Sequence, residues 1–225
     1  MKIAIVTGAS GNLGKAVCAR FLEEGYHVTG TIRTAGEASA LQHERFSPVM
    51  TDLLDEQAAG DLIRKVTEKY GKVDVAVLTA GGYTAGGFDD TSAADIEKQL
   101  RLNFITAFNV VRPLFPYMMK QGEGKLFLLG SRPGEDMRNS KGMLAYGFSK
   151  SLLFRLAEFM NNEARGTALT THVVVPSTID TPENRRAMPG ADFSKWARPE
   201  EIAALISFYC SEKGRMLGGG VIRLQ

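Results

Sequence analysis

Cysteine is almost absent from this chain: only Cys18 and Cys210 occur among 225 residues. They lie far apart, each within a helix-like pattern, which excludes a disulfide framework and a cysteine-based metal site and suits a reducing cytoplasm. Histidine is equally scarce. His27, His43 and His172 fall in or near strand-like segments and form no ligand cluster, so no metal site is argued. Charge of one sign is not in excess either, with 27 basic against 25 acidic residues and a net charge of +2. Without a run of like charge that could track a phosphate backbone, nucleic acid is not an expected partner. No apolar window approaches the ~18 residues that a spanning helix needs. The opening apolar run Ile3-Ala4-Ile5-Val6 ends in Thr7-Gly8, too short for a signal peptide, so the expectation is a soluble, unprocessed, cytoplasmic protein without a membrane partner. Low-complexity segments, linkers and repeats are missing as well.

What is present is alternation. Hydrophobic residues make up 44% of the chain, enough for one sizeable core and a single domain over 1–225. Short apolar runs at 3–7, 27–32, 46–51, 73–79, 125–129, 170–175 and 220–224 read as strands buried on both faces. Amphipathic stretches at 13–24, 57–70, 92–102, 105–121, 145–165 and 200–211 read as helices between them. The pattern predicts an α/β fold: a Rossmann-like, doubly wound parallel sheet of about seven strands with helices on both faces. Three irregular pieces, 81–91, 132–142 and 181–198, are long for connections in a compact domain, and such loops often carry function.

Chemistry concentrates where these elements meet. Tyr146 and Lys150 stand four apart in a helical pattern, so phenol and ammonium share one face. An ammonium beside a phenol favours the phenolate and draws its pKa from about 10 toward the range of a general acid and base. The turn Thr7-Gly8-Ala9-Ser10-Gly11-Asn12-Leu13-Gly14 follows the first strand and opens a helix, the context in which glycines let the backbone approach a dinucleotide pyrophosphate. The second strand ends Thr31-Ile32-Arg33-Thr34. With no acid there to bond an adenosine 2′-hydroxyl, and with Arg33 available to pair a 2′-phosphate, NADP is expected as cofactor in preference to NAD.

Taken together, the glycine turn, Asn103, Ser131 and Tyr146-xxx-Lys150 resemble the short-chain dehydrogenase/reductase family along the whole chain. Further matches are Asp52-Leu53, Thr79-Ala80-Gly81-Gly82 and the stretch from Pro176 to Thr181. The resemblance implies that Tyr146 protonates a carbonyl or equivalent group as the nicotinamide delivers hydride, that Ser131 holds the reacting oxygen, and that Lys150 binds the nicotinamide ribose and lowers the Tyr146 pKa. Asn103, expected at the junction of two helices, would order a water in a proton relay, with a helix cap as its other reading. Cofactor contacts are implied for Gly8, Ser10, Asn12, Leu13, Gly14, Arg33, Thr34, Asp52, Leu53, Ala80, Gly81, Tyr146, Lys150, Pro176, Ile179 and Thr181. Two departures stand out: Asn12 occupies a place where the family has glycine, and Ser131 lies farther before Tyr146 than the family's serine, which implies a two-residue insertion and leaves Ser140 as a substitute.

The segment 180–196, with Met188-Pro189, Phe193 and Trp196, is similar to dihydropteridine reductases, which reduce a quinonoid dihydropterin, usually with NADH, and typically lack the serine. It would form a lid over the nicotinamide, with Trp196 as an anchor. The main expectation is an NADP-dependent oxidoreductase acting on a carbonyl or C=N group of a small molecule. A dihydropteridine reductase is one alternative; a non-catalytic NADP-binding redox sensor is another, against which Ser131, Tyr146 and Lys150 speak. Helices 105–121 and 145–165 carry more apolar surface than one sheet face needs, and by resemblance they would join copies into a homodimer or homotetramer.

Overall fold

The computed structural model describes residues 1–40 and 42–224. Its seven strands are β1 (Lys2–Thr7), β2 (Tyr26–Ile32), β3 (Phe46–Met50), β4 (Val75–Leu78), β5 (Glu123–Leu129), β6 (Ala168–Val175) and β7 (Gly220–Arg223). They form one sheet in the order β3-β2-β1-β4-β5-β6-β7, every pair parallel. Parallel neighbours require crossover helices, and the helices in turn bury both sheet faces.

Strand alternation decides which side chain meets which layer. In β1, Ile3 and Ile5 enter one core with Ala59, Ile63 and Val66 of α2 (Glu56–Tyr70), Val110 and Leu114 of α4 (Thr106–Gln121), and Leu153 and Ala157 of α6 (Leu144–Glu163). Ala4 and Val6 point the other way, toward Val17 and Phe21 of α1 (Asn12–Glu23) and Ile202 and Ile206 of α8 (Pro199–Tyr209). These β1 side chains are fully buried, and burying each branched one contributes roughly 1.5–3 kcal/mol.

Caps fix where the helices begin. Asp55 accepts hydrogen bonds from the Gln57 and Ala58 N–H groups at the head of α2, and Gly71 closes that helix at φ 71°, a left-handed conformation that glycine adopts without a Cβ penalty. Ser92 and Asp95 form a capping box at α3 (Ala93–Leu100). One sequence expectation is corrected here. No break separates the predicted helices 92–102 and 105–121; α3 runs into α4 through a π-helical turn, Arg101–Ile105. No glycine or proline lies between 100 and 106 to stop the helix, so it continues with a locally widened turn, and Asn103 is no cap. The irregular pieces also hold short helices: α5 (Arg132–Glu135), capped by Ser131, and α7 (Pro182–Ala187), capped by Thr181.

The order reverses beside β1, between β1–β2 and β1–β4, and the carboxyl ends of β1, β4, β5 and β6 open on the same edge. A crevice outside that edge is where such sheets take ligands.

Candidate active site

Two polar groups of loops meet at that edge, and the first is the glycine turn. Gly8 adopts φ +64°, and a Cβ on Gly14 would fall 2.1 Å from the Gly8 carbonyl oxygen, so α1 packs directly on the turn. The turn is pinned to β2 by the Gly8 N–H on Thr31 Oγ1 at 3.0 Å and the Ala9 N–H on the Thr31 carbonyl at 2.9 Å. Gly11 is the N-cap of α1, makes no side-chain capping bond, and is followed by no acid in the first turn. Unlike α2 and α3, this helix keeps its N-terminal end free of a protein cap, which suits an anionic diphosphate.

Asn12 opens α1 and donates through Nδ2 to Glu183 Oε2 at 2.9 Å. Ser10 donates through Oγ to Glu37, while the exposed Arg33 sits with its Nε 3.8 Å from the other Glu37 oxygen. Glu37 and Glu183 escaped the sequence reading. The opposite charges of Arg33 and Glu37, four residues apart, were the available signal for the first; nothing local signalled the second.

The second group surrounds Tyr146, in the first turn of α6. The buried Ser131 hydroxyl accepts the Gly134 N–H at 3.1 Å, and Ser131 stands close enough to Tyr146 to draw the phenol's pKa down. Ser140 is instead committed to the Met137 carbonyl, so Ser131 is the serine beside the tyrosine. Lys150 Nζ donates to the Leu129 carbonyl at 2.7 Å and lies 5.9 Å from the Tyr146 ring centroid. Burial lowers the Lys150 pKa to about 8. It raises that of Tyr146, an effect opposed by the Ser131 hydrogen bond and reinforced by Tyr83. The expected depression of the phenol by Lys150 is therefore not seen: the ammonium is turned to the end of β5, and desolvation of the phenol dominates.

Asn103 clamps three segments together. Its Oδ1 accepts the Gly82 N–H at 3.0 Å, and its Nδ2 reaches the Gly82 carbonyl at 2.9 Å, Gln99 Oε1 at 3.0 Å and Ser149 Oγ at 3.0 Å. Gly81 passes so close that a Cβ there would lie 2.6 Å from Asn103 Oδ1 and 3.5 Å from Lys150 Nζ. Tyr83, half-exposed and missed by the sequence reading, meets the Tyr146 ring edge-on at 5.2 Å between centroids.

The remaining expected residues line the same edge unevenly. The Ala80 N–H bonds Thr7 Oγ1 at 3.2 Å, and the exposed Thr34 accepts the Glu37 N–H through its carbonyl at 3.1 Å. Leu53 places its side chain in the core, and Asp52 is occupied with the Leu54 N–H at 2.9 Å. Leu13 and Pro176 are buried, Ile179 bridges to Ala197, and Thr181 caps α7 through the Asn184 N–H. Beyond them Arg185 forks onto Asp180 at 2.6 and 2.7 Å and covers the Phe193 ring at 4.8 Å, while Phe193 packs on Trp196 at 4.7 Å.

Residues 2–191 match the family described as short chain dehydrogenase. The chain belongs to the short-chain dehydrogenase family. It is 26% identical over 235 residues to the 3-oxoacyl-(acyl-carrier-protein) reductase FabG of Thermotoga maritima, covering 98% of this chain and 95% of that one. It is 27% identical over 239 residues to the acetoacetyl-CoA reductase of an Acinetobacter species, covering 99% and 96%. The solved structure of ElxO with NADP bound superposes with a TM-score of 0.90 at 22% identity, covering 99% and 96%, and agrees in fold. This short-chain dehydrogenase is thus an oxidoreductase by family, and among its described residues no helix is long and apolar enough to cross a membrane.

Proposed function

We propose that this short-chain dehydrogenase is an NADP-dependent oxidoreductase that reduces a carbonyl, or an allied C=N group, of a small molecule, with Tyr146 as the general acid. The observation that carries the reading is the meeting of the Ser131 hydroxyl, the Tyr146 phenol and the buried Lys150 where β4 and β5 end, beside a glycine turn free of a protein cap. The positive φ of Gly8 and the bare Gly11 cap fit a dinucleotide diphosphate, and Gly81 leaves room beside Lys150. When bound, the nicotinamide supplies hydride to the substrate carbon.

The chain's own groups handle the oxygen. Burial keeps Tyr146 protonated at neutral pH, so it starts as a donor and passes its proton to the developing oxyanion. Ser131 donates to the same oxygen and fixes its position. Lys150, charged below pH about 8, offsets the charge left on the phenolate. Asn103 holds Gly82 and Ser149 in register, which keeps the loop after β4 against α6. The segment 181–198, tied internally by Asp180, Arg185, Phe193 and Trp196, acts as the lid that excludes water.

Arg33 supports NADP, and the names of the relatives favour a 3-oxoacyl thioester as substrate. A dihydropterin remains the second candidate because of the lid's sequence, with Ser131 against it. Exposed Phe148, Leu152 and Phe159 on α6 and Phe108 on α4 support pairing of copies through these helices, and the reading places the enzyme in the cytoplasm. Acetoacetyl-CoA, simple ketones, a quinone and a dihydropterin, each mixed with NADPH or NADH and followed at the reduced nicotinamide band, test the proposal. Fastest oxidation of NADPH by the 3-oxoacyl thioester is the expected result; turnover of the dihydropterin alone would replace it with the pterin reading, and none with any substrate would overturn it.

A further inference from the structure

Cofactor choice in this chain involves a residue outside the end of β2. After Ile32 the backbone enters a 3-10 turn, Ala35–Ala40, which brings Glu37 back toward the glycine turn. One oxygen, Oε2, accepts both the Ser10 hydroxyl and the Arg33 N–H, the latter at 3.1 Å. The second, Oε1, stands 3.8 Å from Arg33 Nε. Donors from the loop after β1 and from the end of β2 thus converge on a single carboxylate. Two hydrogen-bond donors and a guanidinium at ion-pair distance around one carboxylate describe an anion-binding seat, and here the chain fills it with its own side chain.

The location gives the seat its meaning. A dinucleotide taken across the glycine turn would be expected to direct its adenosine ribose toward the end of β2, where Arg33 and Glu37 stand. A 2′-phosphate would bring negative charge toward the donors that Glu37 occupies, whereas a 2′-hydroxyl would bring a proton that a carboxylate accepts. We propose that Glu37 is a specificity-determining residue that sets the ratio of NADP to NAD affinity. Its carboxylate has to leave Ser10 and the Arg33 N–H before a 2′-phosphate can take those donors, whereas it can stay and bond a 2′-hydroxyl. Arg33 is then shared between an internal and an external anion rather than waiting free for phosphate. The Ser10 and Arg33 interactions also lower the Glu37 pKa, so the carboxylate is charged at neutral pH.

The inference rests on the dinucleotide reading of the glycine turn, and direct binding of cofactor fragments separates the two. Adenosine 2′,5′-bisphosphate and adenosine 5′-monophosphate, titrated calorimetrically at one fixed salt concentration, report the 2′-phosphate without any hydride chemistry. Glu37→Gln, which keeps shape and removes charge, is expected to raise the preference for the bisphosphate by about tenfold, the loss of one charge-assisted competitor. Glu37→Ala is expected to shift it in the same direction, because the charge and not the contact is what competes. If the unaltered protein binds the fragments and both variants leave the ratio within about twofold, the role of Glu37 is wrong while the dinucleotide site stands. If it binds neither fragment nor the intact dinucleotides, both readings fall.

Discussion

Burial moves the pKa values of Tyr146 and Lys150 in opposite directions. The phenol is raised by desolvation and the ammonium lowered to about 8, so at pH 7 both carry their protons, which is the starting state for reduction. As pH rises through about 8, Lys150 loses the charge that would offset the phenolate, and the rate of carbonyl reduction should fall along that limb. Lys150→Arg keeps the charge at every accessible pH. In a profile of kcat/KM against pH this variant should show no limb near 8, and an unchanged limb would mean that another group titrates there. The phenol–ammonium spacing was readable in the sequence because a helix converts i and i+4 into neighbours; the direction of the phenol's shift was not, because it depends on how Ser131, Tyr83 and the β5 end close around the ring.

At the scale of elements, the site stands on the π-helical turn and on two very close helix approaches. Asn103→Ala would strip partners from the part-buried Gly82 N–H and carbonyl and from Gln99 Oε1, while Ser149 keeps its bond to the Tyr146 carbonyl, and each polar group left unpaired costs roughly 1–3 kcal/mol. The expected loss is at least ~2 kcal/mol in a urea midpoint, with a fall in turnover as the loop after β4 loosens. Stability within experimental error of the unaltered chain would show that the clamp is dispensable. Gly134→Ala is a parallel case: its Cβ would come within 2.5 Å of Lys150 Cβ and 2.8 Å of the Lys150 backbone carbon, so α5 must shift off α6, at a cost of ~1–3 kcal/mol on the same measurement. Strands and long helices were legible from periodicity, since both-face burial makes β1 and β6 apolar runs and one-face burial stripes α2. The π-helical turn was not, because it differs from an ordinary helical turn only in which carbonyls its N–H groups find. Thr181-Pro182 and Ser131-Arg132-Pro133 carry the cap-and-proline signal of α7 and α5, yet both stretches read as irregular in the sequence because a helix of four to six residues is too short to show periodicity.

Across the whole molecule, sequence distance is what hid the rest. Ser10 and Glu37 lie 27 residues apart and Asn12 and Glu183 lie 171 apart, contacts made only when the sheet gathers its carboxyl ends. Such pairs leave no periodic trace, whereas Ser131 and the glycine turn each open a helix, and Asn103 drew attention only through the family resemblance. The same large-scale view concerns assembly. Phe148, Leu152 and Phe159 follow one another at helical spacing along the outside of α6, exposed at 41%, 37% and 61%. A stripe of that kind should be covered by a second copy. Sedimentation should give a dimer or tetramer for the unaltered chain and a monomer for the Phe148→Glu, Phe159→Glu double variant; a monomeric unaltered chain would contradict this.

The central claim is that the phenol at position 146 gives up the proton as hydride arrives. Tyr146→Phe removes one hydroxyl and leaves the glycine turn, Arg33 and Glu37 untouched. Pre-steady-state oxidation of NADPH with acetoacetyl-CoA, measured alongside NADPH binding, is the most direct test. The chemical step should fall by about 10²–10⁴-fold with binding of NADPH retained; a chemical step as fast as that of the unaltered enzyme would show that another group supplies the proton.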